Sequence, residues 1–245
     1  MNRFLMLIIL FLFPLIQSQA ITIGVMPNYP PFSSLTDKKN HFSGFEIDLM
    51  EGICQRIKLP CKFTSVIMKQ IQSDLMAQKI DLAIATYIIA DKPPAGFIYS
   101  LPYLASNAEF IVNKESRIHA VADIQNKTVG VRHGTLFDDL LHKFYGDKVT
   151  IEKYFTVDEL IAALNNKDID AALTDAIAAD YWMINADGAY RIIGNKIPIG
   201  NGYGILANVG QEALMSKINQ ALQTMMIDGS YVKIYSTYFS SEPSR

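Results

Sequence analysis

Leu75-Met76-Ala77-Gln78-Lys79-Ile80-Asp81-Leu82-Ala83-Ile84-Ala85-Thr86 and Leu164-Asn165-Asn166-Lys167-Asp168-Ile169-Asp170-Ala171-Ala172-Leu173-Thr174-Asp175 are near-copies set 89 positions apart. In each, a Leu is followed five residues later by Ile-Asp and then by a short apolar run. Each run is too short for a helix and is fed directly by a helical pattern, which is how a helix-to-strand connection in a buried parallel sheet reads. Two such units predict two similar α/β lobes. Open α/β sheets bind ligands beyond the carboxyl ends of their strands, so Thr86 and Asp175 are the residues these strands deliver to a cleft.

The ends and the composition bound the rest. Met1-Asn2-Arg3, the apolar stretch Phe4 to Ile16 and the small-residue site Ser18-Gln19-Ala20 read as a secretory signal over residues 1–20. The apolar stretch is shorter than the roughly 20 residues of a membrane span. Ile21 rather than Cys follows the cut, so no lipid anchor is expected, and the product is expected to be a soluble periplasmic protein. Of 22 basic and 24 acidic residues, only Arg3 leaves with the signal, giving a mature charge near −3. No long run of one sign is present, which argues against nucleic acid as a partner. Cys54 and Cys61, the only cysteines, are expected to pair in an oxidising compartment. No metal-ligand spacing involves them, and His41, His119, His133 and His142 show none either.

Along the chain, strands are predicted at 21–25, 62–67, 81–86, 109–113, 129–131, 169–173, 190–193 and 205–207. Helices are predicted from Phe45, over 70–78, from Leu136, over 158–164 and 176–184, over 211–226, and from Asp228 to Phe239. Pro27-Asn28-Tyr29-Pro30-Pro31-Phe32 is an extended loop holding two aromatics. The second lobe reads as an insertion: residues 21–106 and 202–245 form lobe I, and 107–201 form lobe II. The fold class is therefore α/β, with each lobe a mostly parallel sheet flanked by helices. Two crossings of the chain make a two-stranded hinge.

Tyr29-Pro30-Pro31-Phe32, Gly44-Phe45-Glu46-Ile47-Asp48-Leu49, Cys54-x6-Cys61, Lys79-Ile80-Asp81, Val129-Gly130-Val131, Gly134-Thr135 and Asp228-Gly229-Ser230-Tyr231 with Tyr238-Phe239 resemble, in this order, the family 3 periplasmic solute-binding proteins. These are the amino-acid receptors of ABC importers, with a type II two-lobed fold, and the lysine/arginine/ornithine, histidine and arginine binders are the nearest branch. The resemblance implies a monomer that closes on an amino acid or amino-acid-like solute and passes it to an inner-membrane permease, without cofactor.

Carried over by position, the cleft is expected to contain Tyr29, Met68, Ala85, Thr86, Ile88, Arg132, Thr135 and Asp175. Tyr29 resembles the aromatic that packs along the ligand, and Asp175 the carboxylate that accepts the α-ammonium. A plain helix N-cap is the alternative for Asp175. Pro93 stands where the family carries the arginine that grips the ligand carboxylate, and proline offers neither a guanidinium nor a backbone donor. Ile88 and Leu136 replace hydroxyl side chains, Met26 replaces an acid, and Met68 replaces an aromatic. Arg132 occupies a pocket position where glutamine binders carry a basic residue. Arg132 and Asp175 are therefore expected to form the polar pair that reads the ligand, the alternative being a solvated Arg132 paired with Asp138 or Asp139.

Two other functions compete. Exported cyclohexadienyl dehydratases share the fold, and Thr174-Asp175-Ala176-Ile177 resembles their second-lobe segment; they too need the arginine that Pro93 replaces. A receptor-derived scaffold that no longer binds amino acids is the third. No Gly-x-Ser-x-Gly supports a serine hydrolase, and no catalytic residue is assigned.

Overall fold

The computed structural model describes residues 20–37 and 41–239. Apart from Ala20, the expected export signal lies outside the described residues. The first half runs β1 (Ile21–Val25), β2 (Asn28–Tyr29), β3 (Ser33–Leu35), β4 (Phe42–Ser43), α1 (Phe45–Ile57), β5 (Cys61–Ser65), α2 (Ile71–Met76), β6 (Leu82–Ile88) and β7 (Phe97–Tyr99). The middle runs β8 (Asn107–Asn113), β9 (Thr128–Arg132), α3 (Phe137–Tyr145), β10 (Thr150–Tyr154), α4 (Val157–Asn166), β11 (Ala171–Asp175), α5 (Ala176–Asn185) and β12 (Tyr190–Pro198). The chain closes with β13 (Tyr203–Asn208), α6 (Glu212–Ile227) and α7 (Ser230–Phe239).

Two five-stranded sheets result, ordered β5-β1-β6-β13-β7 and β10-β9-β11-β8-β12. They are built alike: three parallel strands, then two that pair antiparallel. Parallel pairing thus makes up half of each sheet. The antiparallel remainder is where the chain passes between the sheets, because a strand arriving from the other lobe needs no crossover helix.

The repeated segments are structurally equivalent in detail. Gln78 and Lys167 both take the left-handed conformation that ends a helix, with φ of 55° and 65°. Lys79 N–H bonds Asp74 C=O and Asp168 N–H bonds Ala163 C=O, both at 2.9 Å. The Asp of each Ile-Asp pair clasps the start of the neighbouring strand. Asp81 Oδ2 accepts from Thr22 N–H at 2.7 Å, and Asp170 Oδ2 accepts from Thr128 N–H at 2.9 Å. Each clasp satisfies a strand-end donor and fixes the register in which β6 and β11 enter their sheets.

Helix ends follow the sequence chemistry. Thr156 and Glu159 form a reciprocal capping box at the start of α4. Asp228, bonded by Ser230 and by Arg56 at 2.8 Å, holds the entry to α7, and those hydrogen bonds lower its pKa to about 2. α7 then docks on the first sheet's helices through Phe45, whose ring centre is 4.7 Å from that of Phe239. Tyr238 donates to Asp48 at 2.7 Å.

The two passages between the sheets run side by side. Ser106 Oγ donates to Ile199 C=O and accepts from Gly202 N–H at 3.0 Å, while Tyr203 N–H bonds Leu104 C=O at 2.8 Å. Gly202 has φ of 100°, and a Cβ there would lie 2.8 Å from the Leu104 carbonyl oxygen, so only glycine fits.

Cys54 and Cys61 are bonded, with Cα atoms 6.2 Å apart, and tie the last turn of α1 to β5. Removing both as Cys54→Ala/Cys61→Ala is expected to lower unfolding free energy by about 2.5 kcal/mol on the chain-entropy estimate. Urea titration checks this. The midpoint should fall, and an unchanged midpoint would show that the short loop contributes nothing.

Candidate ligand-binding site

Asp175 ends β11 with no solvent exposure. Its carboxylate accepts the hydroxyl protons of Tyr29 and Tyr203, both brought from the first sheet's side, and its Oδ2 lies 3.5 Å from Arg132 Nη2. Asp175 stands at the N-cap position of α5, but its side chain makes no cap hydrogen bond among the described residues. Burial, first, and the adjacent Asp175 charge hold both tyrosine hydroxyls well above their usual pKa, so they stay protonated donors.

Arg132, the last residue of β9, is 4% exposed. Its guanidinium carbon lies 4.2 Å from the Tyr29 ring centre. Nη2 donates to Thr86 Oγ1 at 3.2 Å, Nη1 meets the Met26 sulfur, and Nε has no partner among the described residues. The alternative partner Asp138 is taken instead by Lys153 and His142.

Thr86 faces this cluster because β6 is irregular there. The β13 register shifts between Gly204 and Leu206, opposite Thr86, whose φ is 50°. A left-handed conformation in a β-branched residue is strained and needs outside support. Glu46, in the first turn of α1, supplies it: Oε1 accepts Thr86 N–H at 2.6 Å and the Tyr103 hydroxyl. Glu46 is wholly buried and its Oε2 has no partner among the described residues. Burial, the largest cause, raises its pKa from 4.5 to about 7 despite those two hydrogen bonds.

Two cavities lie between the sheets and meet at Met68. The larger, about 190 Å³, is walled by Met68, Gln72, Thr86, Tyr87, Ile88, Ala90, Pro94 and Tyr99 on one side and by Gly134, Thr135 and Leu136 on the other. The smaller, about 90 Å³, is walled by Met26, Tyr29, Val66, Ile67, Met68 and Arg132 with neighbours that include Phe155 and Asp158. At its rim Asn28 Nδ2 donates to Asp158 Oδ2 at 2.5 Å.

Of the expected site residues, Met68, Thr86, Ile88 and Thr135 border the larger cavity, and Tyr29, Met68 and Arg132 the smaller. Asp175 sits behind them, bonded to Tyr29, and Ala85 is fully buried, its carbonyl accepting the Thr86 hydroxyl at 2.7 Å. Pro93 is exposed, and Pro94 reaches the cavity wall. Five participants are not among the expected site residues: Glu46, Tyr103, Tyr203, and Gln72 with Tyr87, bonded at 2.8 Å. Glu46 has a signal, since it stands among Phe45, Ile47 and Leu49 at the buried start of an amphipathic helix. The tyrosines have none beyond their type.

Two lobes meeting over a walled cavity, with charged groups gathered at the contact, define a ligand-enclosing binding protein. Residues 21–241 match the model of the bacterial extracellular solute-binding proteins, family 3, and the chain belongs to that family. An arginine-binding periplasmic protein of Mannheimia haemolytica is 29% identical over 233 residues, which is 93% of this chain and 94% of that one. A histidine-binding periplasmic protein of Salmonella typhimurium is 28% identical over 229 residues, 90% and 88% of the two chains. Among solved structures, an arginine third transport system periplasmic binding protein from Legionella pneumophila superposes with a TM-score of 0.86 at 37% identity, covering 91% of this chain and all of that one. Among the described residues no helix is long and apolar enough to cross a membrane.

The buried Glu46 gives a pH test. Its folded pKa lies above the unfolded 4.5, so its contribution to stability is full below that value and is lost as pH rises through about 7. The loss is on the order of 3 kcal/mol. Glu46→Gln is expected to flatten this part of the stability profile relative to wild type, measured by urea unfolding across the window. Parallel profiles would show that Glu46 does not titrate there.

Proposed function

We propose that this protein is the periplasmic receptor of an ABC importer and closes on an amino-acid-like solute whose side chain carries no charge. The family supports the transport role, and the wall of the larger cavity supports the ligand class. That wall has Thr, Tyr and Gln hydrogen-bonding groups among apolar side chains, and no Asp, Glu, Lys, Arg or His. A charged side chain buried there would lose its hydration without an opposite charge to replace it, which costs several kcal/mol. The relatives named for arginine and histidine therefore mark the family and not this chain's ligand.

In this reading residues 1–20 export the chain, 21–106 with 202–245 form one lobe, 107–201 form the other, and the paired passages at Ser106 and Gly202 are the hinge. Tyr29, Met68, Ala85, Thr86, Ile88, Arg132, Thr135 and Asp175 hold the solute, with Asp175 reached once Arg132 releases it. The receptor acts as a monomer and hands its solute to an inner-membrane permease. Binding is its whole chemistry. Asp175 already accepts from two tyrosine hydroxyls and faces a guanidinium, so its oxygens are engaged by the protein's own donors.

Thermal denaturation against all amino acids tests this. A ligand at 100 times its Kd adds about 2.7 kcal/mol of stability. Amino acids with uncharged side chains are expected to raise Tm, and arginine, lysine and histidine to leave it unchanged. An equal or larger rise with arginine would overturn the proposed ligand class.

A further inference from the structure

The surroundings of Arg132 have the makeup of a site for an organic cation. They offer the face of Tyr29, the carboxylate of Asp175, the hydroxyl of Thr86 and the polarisable sulfur of Met26. Aromatic faces and carboxylates attract guanidinium and ammonium groups, and a thioether sulfur accepts weakly from their N–H donors. The chain's own arginine fills the place, and fills it loosely. Its only carboxylate contact among the described residues is single and 3.5 Å long, where a bidentate pair is shorter and doubled. Nη1 meets a weak acceptor, and Nε, on a side chain only 4% exposed, has no partner among the described residues. A buried donor left unmade is costly and directs the group toward any anion that arrives. Arg132 also borders the smaller cavity, so an arriving anion has a place from which to meet it.

Charge balance restricts what such an anion brings with it. Arg132 and Asp175 neutralise each other. A ligand bearing only a cation, or only an anion, would leave one member of this buried pair without a partner, and an uncompensated buried charge is strongly destabilising. A ligand bearing both exchanges one internal pair for two new ones.

We propose that Arg132 is a specificity-determining tethered cation: it sits in the subsite that a ligand's own cation takes, and yields Asp175 only to a ligand whose anion then receives its guanidinium. Zwitterions pass this test and simple monocations fail it. The inference rests on the proposed transport reading for its ligand, but its test needs no amino acid.

The test is thermal denaturation of the mature chain and of Arg132→Ala with millimolar ethylguanidinium chloride, against sodium chloride at equal ionic strength. Arg132→Ala is expected to gain several degrees in Tm with ethylguanidinium over the salt control, and wild type to gain none. Adding Asp175→Asn to Arg132→Ala should abolish the gain. Should Arg132→Ala fail to fold, Arg132→Gln is melted in the same way. No gain in the folded variant, an equal gain in wild type, or a gain that survives Asp175→Asn each overturns the proposal. A flat amino-acid panel together with a positive rescue would defeat the proposed ligand class and leave the cation subsite standing. The reverse pattern would defeat the subsite alone.

Discussion

The carboxylate of Asp175 has no access to water, and every group that compensates it except Arg132 comes from the opposite side of the cleft. Tyr29 and Tyr203 belong to the first sheet's side of the molecule, and Asp175 ends a strand of the second. A buried carboxylate stripped of its donors costs several kcal/mol. The approach of the two sheets and the solvation of Asp175 are therefore one event: parting the lobes withdraws the tyrosines and must let water in to replace them. Arg132 belongs to the same event, because its ring contact with Tyr29 and its hydrogen bond to Thr86 also cross the cleft.

The first sheet answers this charge with a strained residue. Thr86 occupies the place in its repeat that Asp175 occupies in the other, and both end within hydrogen-bonding distance of Arg132. One repeat delivers a carboxylate; the other delivers a hydroxyl held in a left-handed turn by the buried Glu46. The near-symmetry of the two sheets thus ends in an asymmetric site, with the negative charge on one side and a neutral acceptor on the other.

The two-lobed fold was legible because the pattern that specifies it is local. Helix, left-handed cap, Ile-Asp and apolar strand lie within a dozen residues and occur twice, and each Asp clasps the neighbouring strand in both copies. Pairing direction was less legible: β8 and β13 are buried apolar runs like their parallel neighbours, and burial alone does not reveal direction. In the site, strand ends pointed to Thr86 and Asp175, but their partners lie far off in sequence. Tyr29 reaches Asp175 across 146 positions and Arg132 reaches Met26 across 106. An acid in the first turn of a helix ordinarily faces solvent; Glu46 turns inward to accept the Thr86 N–H, a partner 40 positions away.

The central claim is that Arg132 and Asp175 act as one buried, mutually compensating pair. A double-mutant cycle with Arg132→Met and Asp175→Asn, read by urea unfolding, measures it most directly. Each single change leaves the other charge buried and unpaired, at about 3–5 kcal/mol, so the double variant is predicted to be at least as stable as the weaker single variant. Strictly additive losses would contradict the account.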